Sequence, residues 1–179
     1  MNVFGVSGLP GSGKSFVSEL TLKRNGVIIS MGDIVREEAK KRGEDSQKTA
    51  TSLREEFGQY IVAELTIEKI KKIDNNELIL VEGIRSPYEV KLFKENFKDF
   101  KILSIFTNRD TRFKRLQMRN REDDSAYYEN FLIRDKRELD FGIGNVIAES
   151  DEIIINNENL EEYEKKINEF LDEVISLWV

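Results

Sequence analysis

Residues 8–15 read GLPGSGKS, with glycine, lysine and hydroxyl groups at the fixed positions of the pattern G-x-x-x-x-G-K-[ST]. Gly8, Gly11 and Gly13 let successive backbone N–H groups turn toward one point, and a helix starting just after them adds its N-terminal dipole. A β-rich run precedes the octapeptide and a helix-compatible run follows it, the context that marks a phosphate-binding P-loop. Gly8, Leu9, Pro10, Gly11, Ser12, Gly13, Lys14 and Ser15 are therefore expected to wrap a nucleotide's phosphates. Lys14 would reach the β- and γ-phosphates, and the Ser15 hydroxyl would hold Mg²⁺. The bland alternative is a glycine-rich turn with no ligand.

A second stretch, LILVEGIRSP at 78–87, runs four apolar residues into Glu82 and then Arg85. A carboxylate at the edge of a core costs several kcal/mol unless a cation or strong donors meet it. In P-loop proteins an acid at the end of a neighbouring buried strand helps hold the metal, so Glu82 is the expected second Mg²⁺ residue. It could instead cap the next helix or pair with Arg85. Arg85 is read as a phosphate clamp, with partnership to Glu82 as the alternative.

At 30–36 the chain reads SMGDIVR. Gly32 permits a tight exit from a strand, Asp33 can cap a helix and aim its carboxylate at a cleft, and Arg36 follows one turn later. Further on, TRFKRLQMRNREDDSAYYENFLIRDKREL places Arg112, Arg115 and Arg119 on one helical face. Like charges so spaced cost a few tenths of a kcal/mol per pair unless anions compensate. Phosphates would do so, and so would the neighbouring Glu122, Asp123 and Asp124.

The elements that must position these residues follow from composition and period. The 179 residues suit one domain with its own core, are 35% charged and carry a net charge of −6, which disfavours a broad nucleic-acid surface. Neither cysteine nor histidine occurs, so thiolate nucleophiles, disulfides and histidine bases are excluded. Chemistry is left to Lys, Arg, Asp, Glu, hydroxyls and backbone amides. The opening MNVFGVSG lacks a basic stretch with a long apolar core, and no apolar run approaches the ~20 residues of a membrane span. A cytoplasmic location and no membrane partner are expected.

Strands are expected at 2–7, 27–30, 78–82, 101–107 and 152–155, separated by charged helical segments. That alternation specifies an α/β fold, a parallel sheet covered by helices on both faces. The segment 160–177 sets Leu160, Tyr163, Ile167, Leu171 and Val174 on one face of a closing helix. The interval 31–76 is long for one crossover and should hold more than one helix as a small subdomain.

In order and spacing, GLPGSGKS, ISMGDIVR, LVEGIR and the late arginines resemble adenylate kinase and its relatives, the P-loop kinases of nucleoside monophosphates. The chain resembles more closely a small archaeal group described as adenylate-kinase-related. The resemblance covers nearly the whole chain. It implies a five-stranded parallel sheet in the three-layer P-loop fold, an acceptor-binding insertion at 31–76, and a short lid at 109–141. It places Gly32, Asp33 and Arg36 around the acceptor, Glu82 and Gly83 at the strand end, Arg115 and Arg119 at the lid's opening, and Arg134 and Arg137 at its close. Two departures stand out: Arg85 comes one residue sooner after the acid-glycine pair than in adenylate kinases, and Met31 replaces a residue that is commonly Thr.

The resulting expectation is an enzyme that transfers a phosphoryl group from ATP, with Mg²⁺, to a small phosphorylated acceptor such as a nucleoside monophosphate. Such an acceptor oxygen is already anionic and needs no base. A hydroxyl acceptor, as in dephospho-CoA kinase, would need one, and Asp33 is the candidate. The contrasting class is a slow P-loop ATPase that gates a protein or RNA partner. The sequence leaves the acceptor's base and sugar and the oligomeric state open.

Overall fold

The computed structural model describes residues 2–73, 77–119, 127–157 and 159–177. Five strands, β1 (Asn2–Ser7), β2 (Val27–Ser30), β3 (Leu78–Ile84), β4 (Lys101–Phe106) and β5 (Glu152–Ile155), form one parallel sheet in the order β2-β3-β1-β4-β5. The chain goes to one side of β1 for β2 and β3, then to the other for β4 and β5. In open α/β sheets such a reversal opens a crevice at the carboxyl ends of the strands. The motifs at 8–15, 30–36 and 82–85 all lie at strand ends there.

Alternate side chains of each strand enter two cores. Val3, Ile79, Val81 and Ile102 pack with α2 (Met31–Arg42), α4 (Ile61–Ile70) and α5 (Pro87–Asn96). Phe4, Val6, Leu80, Leu103 and Ile105 pack with α1 (Ser15–Lys23) and α9 (Leu160–Ser176) on the opposite face. This is the expected sheet with both faces covered. On α9, Tyr163, Ile167, Leu171 and Val174 are buried as read from the sequence, Phe170 joins them, and Leu160 is exposed.

Between β2 and β3 stand three helices, α2, α3 (Ser46–Phe57) and α4, so 31–76 does hold more than one. Between β4 and β5 come α6 (Arg109–Arg119), α7 (Tyr128–Asp140) and α8 (Ile143–Ala148). Residues 120–126, with the acids Glu122, Asp123 and Asp124, lie outside the described residues. No helix among the described residues is long and apolar enough to cross a membrane.

Two sequence expectations about element ends need correction. β3 continues two residues past Glu82: its register against β1 shifts from Val6 opposite Glu82 to Ser7 opposite Ile84, so Gly83 is the extra residue of a bulge. Gly83 sits at φ +87°, a conformation costly for other residues, and the bulge lets both Glu82 and Arg85 flank the crevice. Asp33 does not cap α2. Ser30 does, accepting from the Asp33 N–H at 3.2 Å, and Gly32 lies inside the helix without a positive φ.

Candidate active site

The P-loop joins β1 to α1 at the centre of the sheet. Its outward carbonyls are each tied down by a different element. Arg112 Nη1 donates to Pro10 O at 3.1 Å, Asn156 Nδ2 to Ser12 O at 2.9 Å, and the Tyr163 hydroxyl to Gly13 O at 3.0 Å. Thr107 Oγ1 adds a donor 3.0 Å from Ser12 O. Burial pushes the Tyr163 phenol far up from its ordinary pKa, so it stays protonated and remains a donor. Gly13, at φ +103°, has no room for a Cβ because the Asn156 amide fills that space.

With the carbonyls held outward, the amides are left over. Among the described residues, no hydrogen bond uses the N–H of Gly11, Gly13, Lys14 or Ser15, and the buried Ser12 Oγ has no partner. Unmet donors clustered in this way fit a polyanion. Lys14 turns back over the loop, donating to Gly8 O at 2.5 Å and Leu9 O at 3.1 Å. Its pKa is lowered to about 8, first by desolvation, with Glu138 and Glu82 pulling it up and Arg85 and Arg134 pushing it down.

Two cavities with a shared stretch of lining open at the strand ends. One, of about 360 Å³, is lined by the P-loop, Glu82, Arg115, Arg119 and Arg134. The other, of about 650 Å³, is lined by apolar Met31, Val35, Ala50, Val62 and Phe141 together with polar and charged side chains that include Arg36, Gln47, Arg54, Arg85, Glu89 and Arg137. Gly32, Arg36, Gly83, Arg85, Arg134 and Glu138 line both. The two halves form one cleft with a cationic waist.

The strand-end charges do not pair with each other. Glu82 accepts a hydrogen bond from Ser18 on α1, and Arg85 meets Glu138 of α7 through Nε at 3.1 Å. Ser15 and Glu82 both line the P-loop cavity, so a hydroxyl and a carboxylate are available to a hard cation there. Arg85 is aimed by the helix that follows it. Ser86 and Glu89 form a capping box with Pro87 at the first turn of α5, and Glu89 Oε2 accepts from the N–H of Arg85 at 2.7 Å and of Ser86 at 3.1 Å.

Asp33 is 57% exposed, is absent from the walls of both cavities, and binds the Arg36 guanidinium one turn away. Its carboxylate orients Arg36 and does not reach the cleft on its own account. Arg115 leans on Thr107 Oγ1 and Asn156 Oδ1, both at 3.4 Å. Arg137 donates to Gln47 Oε1 of α3 and lies 3.8 Å from Glu138. Arg112 departs from the expected phosphate-facing trio. It is 3% exposed, locked on Asp135 and stacked against Phe131, and it serves the P-loop backbone instead.

Sequence reasoning missed Arg54, Glu89, Glu138 and Asn156. Arg54, buried under the larger cavity, donates to Ala50 O and Glu89 Oε1 and stacks on Phe141. The Ser86-x-x-Glu89 spacing was a readable capping signal. Nothing local marks the other three, because Glu89, Arg85 and Ser12, the partners that place them at the site, lie far away in the chain.

Residues 7–130 match the family described as AAA domain. A UPF0200 protein of Methanothermobacter thermautotrophicus is 48% identical over 96% of this chain and 90% of its own length. Another, from Methanocaldococcus jannaschii, is 42% identical over 98% and 92%. Among solved structures, TT1252 from Thermus thermophilus superposes with a TM-score of 0.63 at 16% identity, covering 96% of each chain. Dephospho-CoA kinase from Campylobacter jejuni gives 0.59 at 18%, covering 97% of this chain and 96% of that one. Shikimate kinase from Acinetobacter baumannii, in complex with shikimate, gives 0.60 at 12%, covering 97% and 93%. The five-stranded parallel sheet thus has the fold of these two kinase structures, and the chain belongs to the UPF0200 family.

Proposed function

We propose that this protein transfers the γ-phosphoryl group of ATP, with Mg²⁺, to a small acceptor that already carries a phosphate, a nucleoside monophosphate being the leading class. The observation that carries this reading is the shape of the cleft: a P-loop chamber opening through a waist of arginines into a second chamber of mixed apolar and charged lining. An attacking oxygen in the second chamber would face a γ-phosphate held in the first.

In this reading the P-loop amides and Lys14 hold the donor. Ser15 and Glu82 would hold Mg²⁺, which when bound supplies charge neutralisation on the phosphates. The acceptor's phosphate oxygen attacks the γ-phosphorus, the bond from that phosphorus to the β–γ bridging oxygen breaks, and ADP leaves with the electron pair. Arg115, Arg119 and Arg134 would bear on the transferring group, and Arg36, Arg85 and Arg137 on the acceptor. Residues 31–76 serve as the acceptor-binding unit and 109–141 as the lid.

A hydroxyl acceptor, suggested by likeness to a dephospho-CoA kinase, is disfavoured by Asp33, whose carboxylate is engaged with Arg36 outside the cavity walls. A slow ATPase that gates a partner remains the contrasting class. Both are tested by a screen of Mg-ATP against nucleoside monophosphates, dephospho-CoA and small alcohols. Rapid ADP formation dependent on a nucleoside monophosphate supports the proposal, turnover with dephospho-CoA or an alcohol supports the hydroxyl-acceptor alternative instead, and slow turnover indifferent to every acceptor overturns it.

A further inference from the structure

At the waist of the cleft a single buried carboxylate sits among cations. Glu138 is 3% exposed, yet it lines both cavities. One of its oxygens lies 3.1 Å from Arg85 Nε and the other 3.8 Å from Arg137 Nη2. Arg85 and Arg137 are each about one-third exposed, on the cavity side. Among the described residues no hydrogen bond engages the Nη atoms of Arg85, so one edge of that guanidinium remains to be used.

The carboxylate is also firmly placed. Gly142, one turn beyond it, lies so close to Pro87 at the start of α5 that a Cβ there would meet the proline Cδ at 2.9 Å. That packing fixes the end of α7 against the residues that carry Arg85. Arg137, the residue before Glu138 on α7, reaches across to Gln47 of α3. A line of contacts Gln47, Arg137, Glu138, Arg85 thus runs along the lining of the larger chamber.

Burying several arginines beside a lysine with no anion present would be costly, and a carboxylate with two oxygens is geometrically close to one face of a phosphate. We propose that Glu138 is an internal counter-ion occupying the acceptor's anion subsite, where it bridges Arg85 and Arg137 until an anionic group takes its place. A phosphorylated acceptor has the charge to compete for these guanidinium groups, whereas a neutral one leaves Glu138 where it is. The inference rests on the acceptor chamber of the proposed kinase, and it adds that the charge of the acceptor is selected at this point.

The test is binding of inorganic phosphate, measured calorimetrically with the P-loop saturated by Mg-ADP, so that no turnover is needed. Glu138→Gln removes the competing charge while keeping the shape, and should tighten phosphate binding by at least about fivefold. Adding Arg85→Met to that variant should take the gain back. Glu138→Asp, which retracts the carboxylate by one methylene, serves if Glu138→Gln does not fold, with about twofold tightening expected. Phosphate binding unchanged or weakened in the folded variant, or a gain that survives Arg85→Met, overturns the proposal. Absence of acceptor-dependent ADP formation in the parent protein would instead count against the kinase reading and leave this measurement standing.

Discussion

Arg112 and Asp135 form a two-pronged buried ion pair, Nη1 to Oδ1 at 2.7 Å and Nη2 to Oδ2 at 2.5 Å, that joins α6 to α7 beneath the P-loop. Both side chains are almost wholly covered, and the same guanidinium holds the carbonyls of Pro10 and Thr107.

Breaking a buried pair leaves a lone charge behind, at a cost of roughly 3–5 kcal/mol, far above the 0–1 kcal/mol of an exposed pair. Arg112→Met should therefore destabilise the fold by that order in urea unfolding, while Lys23→Met, which removes an exposed pair with Glu19, should change it little. Arg112→Met combined with Asp135→Leu should recover part of the loss. A single variant as stable as the parent would show that the pair is not what fastens α7 to the loop.

Lys14 gives the clearest pH dependence. Its ammonium is disfavoured in the folded protein, so its folded pKa is about 8 against an ordinary 10.5. Its burial costs stability at pH below about 8, where it is charged in both folded and unfolded states, and the cost fades as pH rises from 8 toward 10.5. A polyphosphate stabilises the ammonium, so nucleotide binding should take up a proton, and Mg-ATP affinity should fall by up to tenfold per unit above about pH 8. Calorimetry in buffers of different ionisation enthalpy reads the uptake directly. Lys14→Ala should abolish transfer with no loss of stability and should remove the proton uptake.

Glu82 accepts from Ser18 and lines the same chamber as Ser15. Glu82→Gln keeps an acceptor for Ser18 but loses the charge for a cation. The Mg²⁺ concentration giving half-maximal activity should rise about tenfold or more, while metal-free ATP binding changes much less. An unchanged magnesium dependence would leave Glu82 a purely structural residue of the strand end.

Arg36 is held by Asp33 and Arg85 by Glu138, two aimed guanidinium groups that both line the waist. Lysine cannot reproduce their forked geometry. A lost charged hydrogen bond costs roughly 1.5–3 kcal/mol, so Arg36→Lys or Arg85→Lys should lower kcat/KM for the acceptor by about tenfold to more than a hundredfold. ATP affinity measured without acceptor should barely move. Equal losses for donor and acceptor would place these residues elsewhere. Asp33→Asn should reproduce a milder form of the Arg36 defect, since it frees the side chain without removing it.

Much of this protein is written locally. The strands at 2–7, 27–30 and 152–155 match the observed elements because apolar β-branched runs bounded by turns have one stable outcome in a twice-covered sheet. The P-loop is legible for the same reason: its glycines, lysine and serine act within eight residues, so spacing alone fixes their relation. The resemblance placed Arg36 at the acceptor and Arg134 and Arg137 at the close of the lid, and these three line the larger cavity together with Arg85. What the sequence could not assign was which charge meets which. Glu82 lies three residues from Arg85, yet the bulge at Gly83 turns them to different partners, Ser18 and Glu138. Arg112 shares a helical face with Arg115 and yet is withdrawn into the core by Asp135, which comes from another helix. Ion pairing depends on distances of a few ångströms across elements that are far apart in the chain, and strand order and helix packing decide those distances. Glu138, between the two chambers, is buried against Arg85, a contact that exists only once α7 is laid against the end of β3.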